Sequence, residues 1–140
     1  MTYDRIALQK ELEHDEGRVP YFYRDHLGYA SCGIGFLIDK DKGGRIPEPV
    51  IDFWLNYLIE EREKQLDQYI PWWRKLSDKR QRALLNMSWQ LGVSGLLGFP
   101  KMLGALEAGN WSEAYRQALD SKWAKVDTPK RAQRVAAMFL

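Results

Sequence analysis

One cysteine, Cys32, stands in the whole chain of 140 residues, which excludes an internal disulfide and points to a reducing compartment. No apolar run reaches the roughly 18 residues that a membrane-spanning helix needs. The opening MTYDRIALQKELEH lacks the apolar centre of a signal peptide, so the expectation is a protein that does not export itself. Histidine is scarce as well: His14 and His26 have no His or Cys cluster around them, and no metal site is expected. The stretch DKDKGG (39–44) opens like a calcium loop, but Val50 occupies the twelfth position, where an acid is required; it reads as a turn. There is no internal repeat and no low-complexity segment. Lys and Arg are spread along the chain with a net charge of only +2, rather than gathered into the basic stripe of a DNA-binding surface. The glycosylation patterns NMS and NWS read as chance without a secretory signal.

What is present is a globular composition, 45% hydrophobic and 29% charged, where a disordered chain would be poorer in apolar residues. At this length one domain is expected, or two small lobes sharing a core. Six tryptophans are many for such a chain, enough both to fill a core and to line a groove. Residues 3–16 read as an amphipathic helix, with Leu8, Leu12 and Glu16 four apart on one face and Gly17 just past its end. Residues 18–46 turn aromatic and β-branched between Gly and Pro, giving two or three short antiparallel strands with turns near Asp25–Gly28 and Asp39–Gly44. Residues 48–69 are helical, stopped by Pro71. Helices are expected at 78–91, 96–107, 112–123 and 129–138, with start signals at Ser112 and at Thr128 before Pro129. The class is α+β, mostly α: a small α+β lobe (1–46), a long connecting helix (47–70) and a helical lobe (71–140).

The chemistry concentrates in HDEGRVPYFYRDHLGYASCGIG, residues 14–35. Glu16 continues the apolar stripe of the first helix and stands at its C-terminus, where the backbone dipole disfavours negative charge; a packed position and that dipole together raise a carboxyl pKa. A carboxylic acid kept protonated is what general-acid cleavage of a glycosidic bond requires. The plain alternative is a solvated Glu at a frayed helix end. Asp25 lies in a polar turn and stays ionised, and alone it is an ordinary turn residue. Ser31, six residues on, can come beside it across a hairpin, where carboxylate and hydroxyl can hold a water. One neutral and one charged carboxyl flanking a cleft is the glycosidase arrangement. Cys32 with His26 makes a poor nucleophile pair, lacking a third orienting group, and reads as a buried thiol.

This segment resembles the catalytic segment of the phage-type lysozymes, the endolysin muramidases of glycoside hydrolase family 24. Two later blocks, RALLNMSWQLGVSGLLGF and SKWAKVDTPKRAQRV, resemble that family's helical lobe. The resemblance implies a single lysozyme-like domain that hydrolyses the β-1,4 bond between N-acetylmuramic acid and N-acetylglucosamine in peptidoglycan. Glu16 looks like the general acid, Asp25 like the carboxylate that positions or activates water, and Ser31 falls where the family usually has Thr. Inversion at the anomeric carbon is implied, with no metal or cofactor. Gln90 looks like a substrate-binding amide and Asn86 like a structural one; Leu37, Trp89 and Phe99 count with Gln90 as substrate contacts, although Phe99, like Leu84, Met87 and Trp123, also suits a core. Arg131 and Arg134 look like the family's arginines near the acids, Arg134 pairing with Asp15 and Arg131 lying near Glu16. Phe36 stands where the family commonly has His, implying apolar packing in place of a buried ion pair.

The implied setting is a monomeric phage or prophage endolysin whose partner is bacterial peptidoglycan. It would wait in the host cytoplasm, reach the wall through a separate pore protein, and bind no nucleic acid and no membrane. Two alternatives keep the fold: a non-catalytic wall-binding or virion-associated module, and a relative acting on chitin.

Overall fold

The computed structural model describes residues 4–140; residue 3 of the expected first helix and the side chain of Leu8 lie outside what is described. Among the described residues six α-helices and one small sheet follow in order: α1 (Arg5–Glu16), β1 (Val19–Arg24), β2 (Ala30–Gly33), β3 (Phe36–Leu37), α2 (Glu48–Tyr69), α3 (Asp78–Leu97), α4 (Pro100–Glu107), α5 (Trp111–Leu119) and α6 (Pro129–Ala137). A single 3-10 turn (Trp73–Lys75) precedes α3, and a π-helical turn (Trp123–Asp127) precedes α6. This is the α+β, mostly helical architecture that the sequence implies. The chain divides into two compact units, Met1–Trp54 and Leu55–Leu140. The division falls inside α2, whereas the sequence pattern marks composition changes at either end of that helix.

In the first unit α1 starts on Asp4, whose carboxylate accepts from the N–H groups of Ile6 (3.0 Å) and Ala7 (3.1 Å). It stops at Gly17, which takes a positive φ of 74° and donates its N–H to the Glu13 carbonyl. The sheet is antiparallel in the order β1-β2-β3. Its register pairs Tyr23 with Ser31 and Arg24 with Ala30 on one side, and Ser31 with Leu37 and Cys32 with Phe36 on the other. The turn after β1 closes through the Gly28 N–H on the Asp25 carbonyl, 2.9 Å.

The loop at 39–45 is closed by the side chain of Asp39. Asp39, one of the buried residues, accepts from the N–H groups of Asp41 (3.2 Å) and Arg45 (3.1 Å) and from Arg45 Nε (2.8 Å). The Arg45 guanidinium on its oxygens holds the carboxyl far below the usual aspartate range.

The hydrophobic core belongs to the second unit. Leu66, Leu84, Met87, Leu96, Met102, Leu106, Val135 and Phe139 are all 2% exposed or less, and each stabilises by about 1.5–3 kcal/mol through the apolar surface it hides. Two tryptophans enter this core with their polar edges satisfied: Trp73 donates its indole N–H to Asp67 at 2.8 Å, and Trp123 donates to Gln90 at 3.0 Å. Arg80 ties the chain end to α3, donating from Nε to the Phe139 carbonyl at 2.7 Å while its guanidinium lies 3.7 Å over the Trp111 ring.

The helix expected at 78–91 is followed by Gly92, whose φ of 72° and ψ of 166° are not helical, so α3 is two helical runs that meet at a kink there. Three other helix limits differ from the sequence pattern for local reasons. Helix α4 begins at Pro100 because proline suits a first helical position. Helix α5 starts on Asn110, whose side chain accepts from the Glu113 N–H at 3.2 Å, so Ser112 lies inside it. The stretch expected as 112–123 ends at Leu119, and Trp123 passes to the π-helical turn.

Candidate functional site

The first unit gathers Glu16, Asp25, Ser31 and Leu37. Cross-strand partners point to the same face of a sheet, so Tyr23, Ser31 and Leu37 form one row across the three strands. Asp25 follows Tyr23 by two residues, and its N–H reaches the Tyr29 carbonyl at 2.9 Å. The ladder therefore continues one step beyond β1 and carries Asp25 to the face of Ser31.

Asp25 is fixed by its own turn. One carboxylate oxygen accepts from the N–H groups of Leu27 and Tyr29, both at 2.9 Å. The Tyr29 backbone bond, more than any other influence, holds its carboxyl below the usual aspartate range. The second oxygen accepts no hydrogen bond from the described residues, which leaves a charged acceptor for a water. Ser31 is 6% exposed, and its hydroxyl has no hydrogen-bond partner among the described residues. Since no buried side-chain oxygen or nitrogen among them is left unpartnered, this oxygen reaches the surface, where it can meet a water or a ligand.

Glu16 approaches the same sheet from its other end. It is the last residue of α1, and its carboxyl lies against the turn between β2 and β3: a Cβ built on Gly35 would fall 2.6 Å from Glu16 Oε2 and 2.7 Å from its Cδ. The two carboxyls thus mark the two hairpin turns of the sheet, and Ser31 lies on the strand that joins those turns. Glu16 is exposed, however. Leu12 on the same stripe is 45% exposed. Within its own unit no described cation pairs with it, since Arg18 is taken by Glu13 at 2.9 Å. Leu37 is 54% exposed, an apolar side chain open beside Ser31. Phe36 is 58% exposed with its ring laid over Gly33, so the apolar packing expected at this position is absent from its own unit.

The second unit holds the other sequence candidates, and most are already engaged. Gln90 donates from Nε2 to the Thr128 hydroxyl at 3.0 Å, and its Oε1 accepts the Trp123 indole N–H. Thr128, expected as a helix cap, makes no capping bond and spends its hydroxyl on Gln90. Arg131 donates to the Asn86 side-chain oxygen from Nε at 3.0 Å and from a terminal nitrogen at 2.8 Å, which agrees with a structural Asn86. Trp89, half open at 39% exposure, lines a groove of about 460 Å³ with Asn86 and Arg131. Phe99 lines a different hollow of about 570 Å³, edge-on to Trp123 with ring centroids 6.1 Å apart, so the structure does not bring Phe99 and Trp89 to one surface. Asp15 and Arg134 are both exposed; they belong to different units, as do Arg131 and Glu16.

Sequence reasoning missed Gly35 as the contact of Glu16, because the GIG motif reads as turn punctuation. It also missed Trp123 and Thr128 as the partners of Gln90, which only the three-dimensional structure brings together. Among the described residues no group of three or more His, Cys, Asp or Glu side chains could hold a metal, and no helix is long and apolar enough to cross a membrane.

Comparison with known proteins agrees in kind. A family model described as "Phage lysozyme" matches residues 13–137. The chain is 31% identical over 96% of its length to the "Pre-baseplate central spike protein Gp5" of Enterobacteria phage T4, of which it spans only 28%. It is 30% and 27% identical over 95% of its length to "Probable T4-type lysozyme 2" and "Probable T4-type lysozyme 1" of Dictyostelium discoideum, spanning 93% of each.

Proposed function

The chain belongs to the phage lysozyme family, and from that membership and the carboxyl arrangement of its first unit we propose that it is a peptidoglycan muramidase. Its substrate is the β-1,4 bond between N-acetylmuramic acid and N-acetylglucosamine. Glu16 donates a proton to the leaving glycosidic oxygen. Asp25, ionised by its turn, orients a water with the Ser31 hydroxyl and accepts that water's proton as it attacks the anomeric carbon from the opposite face. Bond cleavage and proton delivery then balance: Glu16 ends as a carboxylate and the sugar gains a hydroxyl with inverted configuration.

The observation that carries this reading is the division of labour between two carboxyls on one small sheet. Asp25 has its charge stabilised by backbone N–H groups. Glu16 has no such donor among the described residues of its own unit, and its exposed carboxyl is open to a glycan. Leu37 offers an apolar contact for a sugar ring beside Ser31. No cofactor or metal is needed for this chemistry.

We further infer an endolysin role, with access to the wall through a separate pore protein. The partial match to a phage spike protein favours one second reading, a virion-associated lysozyme. The deciding assay is turbidity loss of outer-membrane-permeabilised Gram-negative cells, followed by analysis of the ends released from purified sacculi. New N-acetylmuramic acid reducing ends with wild type, and none with Glu16→Gln, are expected. N-acetylglucosamine reducing ends, or equal activity of Glu16→Gln, would overturn the assignment.

A further inference from the structure

We infer that Gly35 is a positioning residue for the general acid: the missing side chain at this one position of the β2–β3 turn sets where the Glu16 carboxyl stands. The inference rests on the muramidase reading and adds a residue to it.

Three atoms of Glu16 crowd the place a Cβ would take on Gly35, Oε2 at 2.6 Å, Cδ at 2.7 Å and Cγ at 2.9 Å. The carboxyl therefore lies directly on bare backbone, an approach that only glycine permits. Gly35 also holds φ at +65°, in the left-handed region where side chains are disfavoured. The carboxyl has no hydrogen-bond donor among the described residues of its own unit, so contact with this turn is what limits its position on that side. Any side chain at 35 must displace something. Glu16 is exposed and lies at a helix end, so its flexible side chain yields rather than the turn. The expected damage is a moved proton donor in a folded protein, and a shift of about 1 Å in a reacting group costs on the order of 100-fold in rate.

The same turn supplies a matched control. Gly33 holds φ at +62°, and a Cβ there would fall 2.6 Å from Phe36 Cδ2. Gly33→Ala imposes comparable backbone strain in the same hairpin, but it pushes an exposed aromatic ring and leaves the carboxyl alone.

The test compares wild type, Gly35→Ala, Gly35→Asn and Gly33→Ala for turnover on purified sacculi across pH, with thermal melting alongside. Asparagine tolerates positive φ better than alanine, so Gly35→Asn keeps the added Cβ with less strain and covers the case in which the alanine variant folds poorly. Both Gly35 variants are expected to lose roughly 100-fold in kcat and to shift the basic limb of the pH profile, which reports the proton donor. Gly33→Ala is expected to melt like Gly35→Ala yet keep its turnover within several-fold and its basic limb in place. Wild-type turnover and an unmoved pH limb in a folded Gly35 variant would sink the inference, as would equal losses and equal profiles for Gly33→Ala. Failure of the muramidase reading looks different: wild type itself releases no reducing ends, or Glu16→Gln matches it.

Discussion

The indole N–H of Trp123 donates to the side-chain oxygen of Gln90 across 3.0 Å, and Trp123 is 3% exposed. A residue that looks like a substrate-binding amide is therefore also the acceptor for a buried donor. Gln90→Leu strands that N–H, which costs about 1–3 kcal/mol, and a drop of several degrees in Tm is expected. Because the amide also serves Thr128, little of its bonding capacity is left for a ligand, and KM on sacculi is expected to stay close to wild type. A large rise in KM without loss of Tm would return Gln90 to the role of substrate contact.

Asn86 and Arg131 make a second such pair, and here the chemistry can be strengthened. Asn86→Asp places a carboxylate where the guanidinium already donates twice. Arg131 would lower the pKa of that new carboxyl below its unfolded value of about 3.9. The added stability is then fully present above that value and is lost as pH falls through the lowered folded pKa. Thermal melting at pH 7 and at pH 3 is expected to show Asn86→Asp at or above wild type in the first and without advantage in the second. Asn86→Ala, leaving the guanidinium without its acceptor, is expected to melt below wild type at both.

How far the sequence reaches is clear from these two pairs and from the sheet. The helix at Glu48–Tyr69 and the turn at Asp25–Gly28 were legible because Pro, Gly and apolar spacing act locally. The order Glu16, Asp25, Ser31 along the chain suggested one site, and the strand register supplies the shared face for Asp25 and Ser31. The contact of the Glu16 carboxyl with the Gly35 turn was not legible, because apolar spacing on α1 marks a face and not what that face meets. Nor was the use of Gln90 by Trp123, 33 residues away, since side-chain pairing at that separation leaves no periodic trace. Of the π-helical turn at Trp123–Asp127, only Trp123 falls within an expected helix, and the rest lies in the gap between 112–123 and 129–138.

Asp25 separates structure from charge by one substitution. In Asp25→Asn the amide oxygen still accepts from the Leu27 and Tyr29 N–H groups, so the turn and the Tm are expected to hold, while kcat falls on the order of 100-fold or more as the water's proton acceptor is lost. Asp25→Ala is expected to lose the same activity and also part of its stability. Comparable activity in Asp25→Asn and wild type would remove Asp25 from the chemistry.

The pH dependence follows from the same two bonds. They favour the ionised form, so the folded pKa of Asp25 lies below the unfolded value near 3.9. The stability they bring is present above that unfolded value and disappears as pH falls through the folded one. An enzyme using Asp25 as base keeps it charged over the same range, and the acid limb of kcat/KM is expected below pH of about 3.9. Rates on sacculi from pH 3 to pH 8 check this. An acid limb near pH 5 that Asp25→Asn leaves unmoved would assign the base to another group.

Ser31 tests whether the hydroxyl of a largely buried residue serves a ligand or the fold. With no protein partner among the described residues, its removal in Ser31→Ala strands no donor and is expected to leave Tm almost unchanged. Its loss from the water-holding pair is expected to lower kcat roughly tenfold to a hundredfold. Ser31→Thr keeps the hydroxyl and adds a methyl at a position 6% exposed, flanked by Tyr23 and Leu37. Leu37 is open enough to move, so activity is expected to survive, and the stiffer χ1 of Thr holds the oxygen more firmly. A Ser31→Ala variant that melts several degrees lower with full turnover would instead make Ser31 part of the sheet's own packing, and would leave Asp25 alone to hold the water.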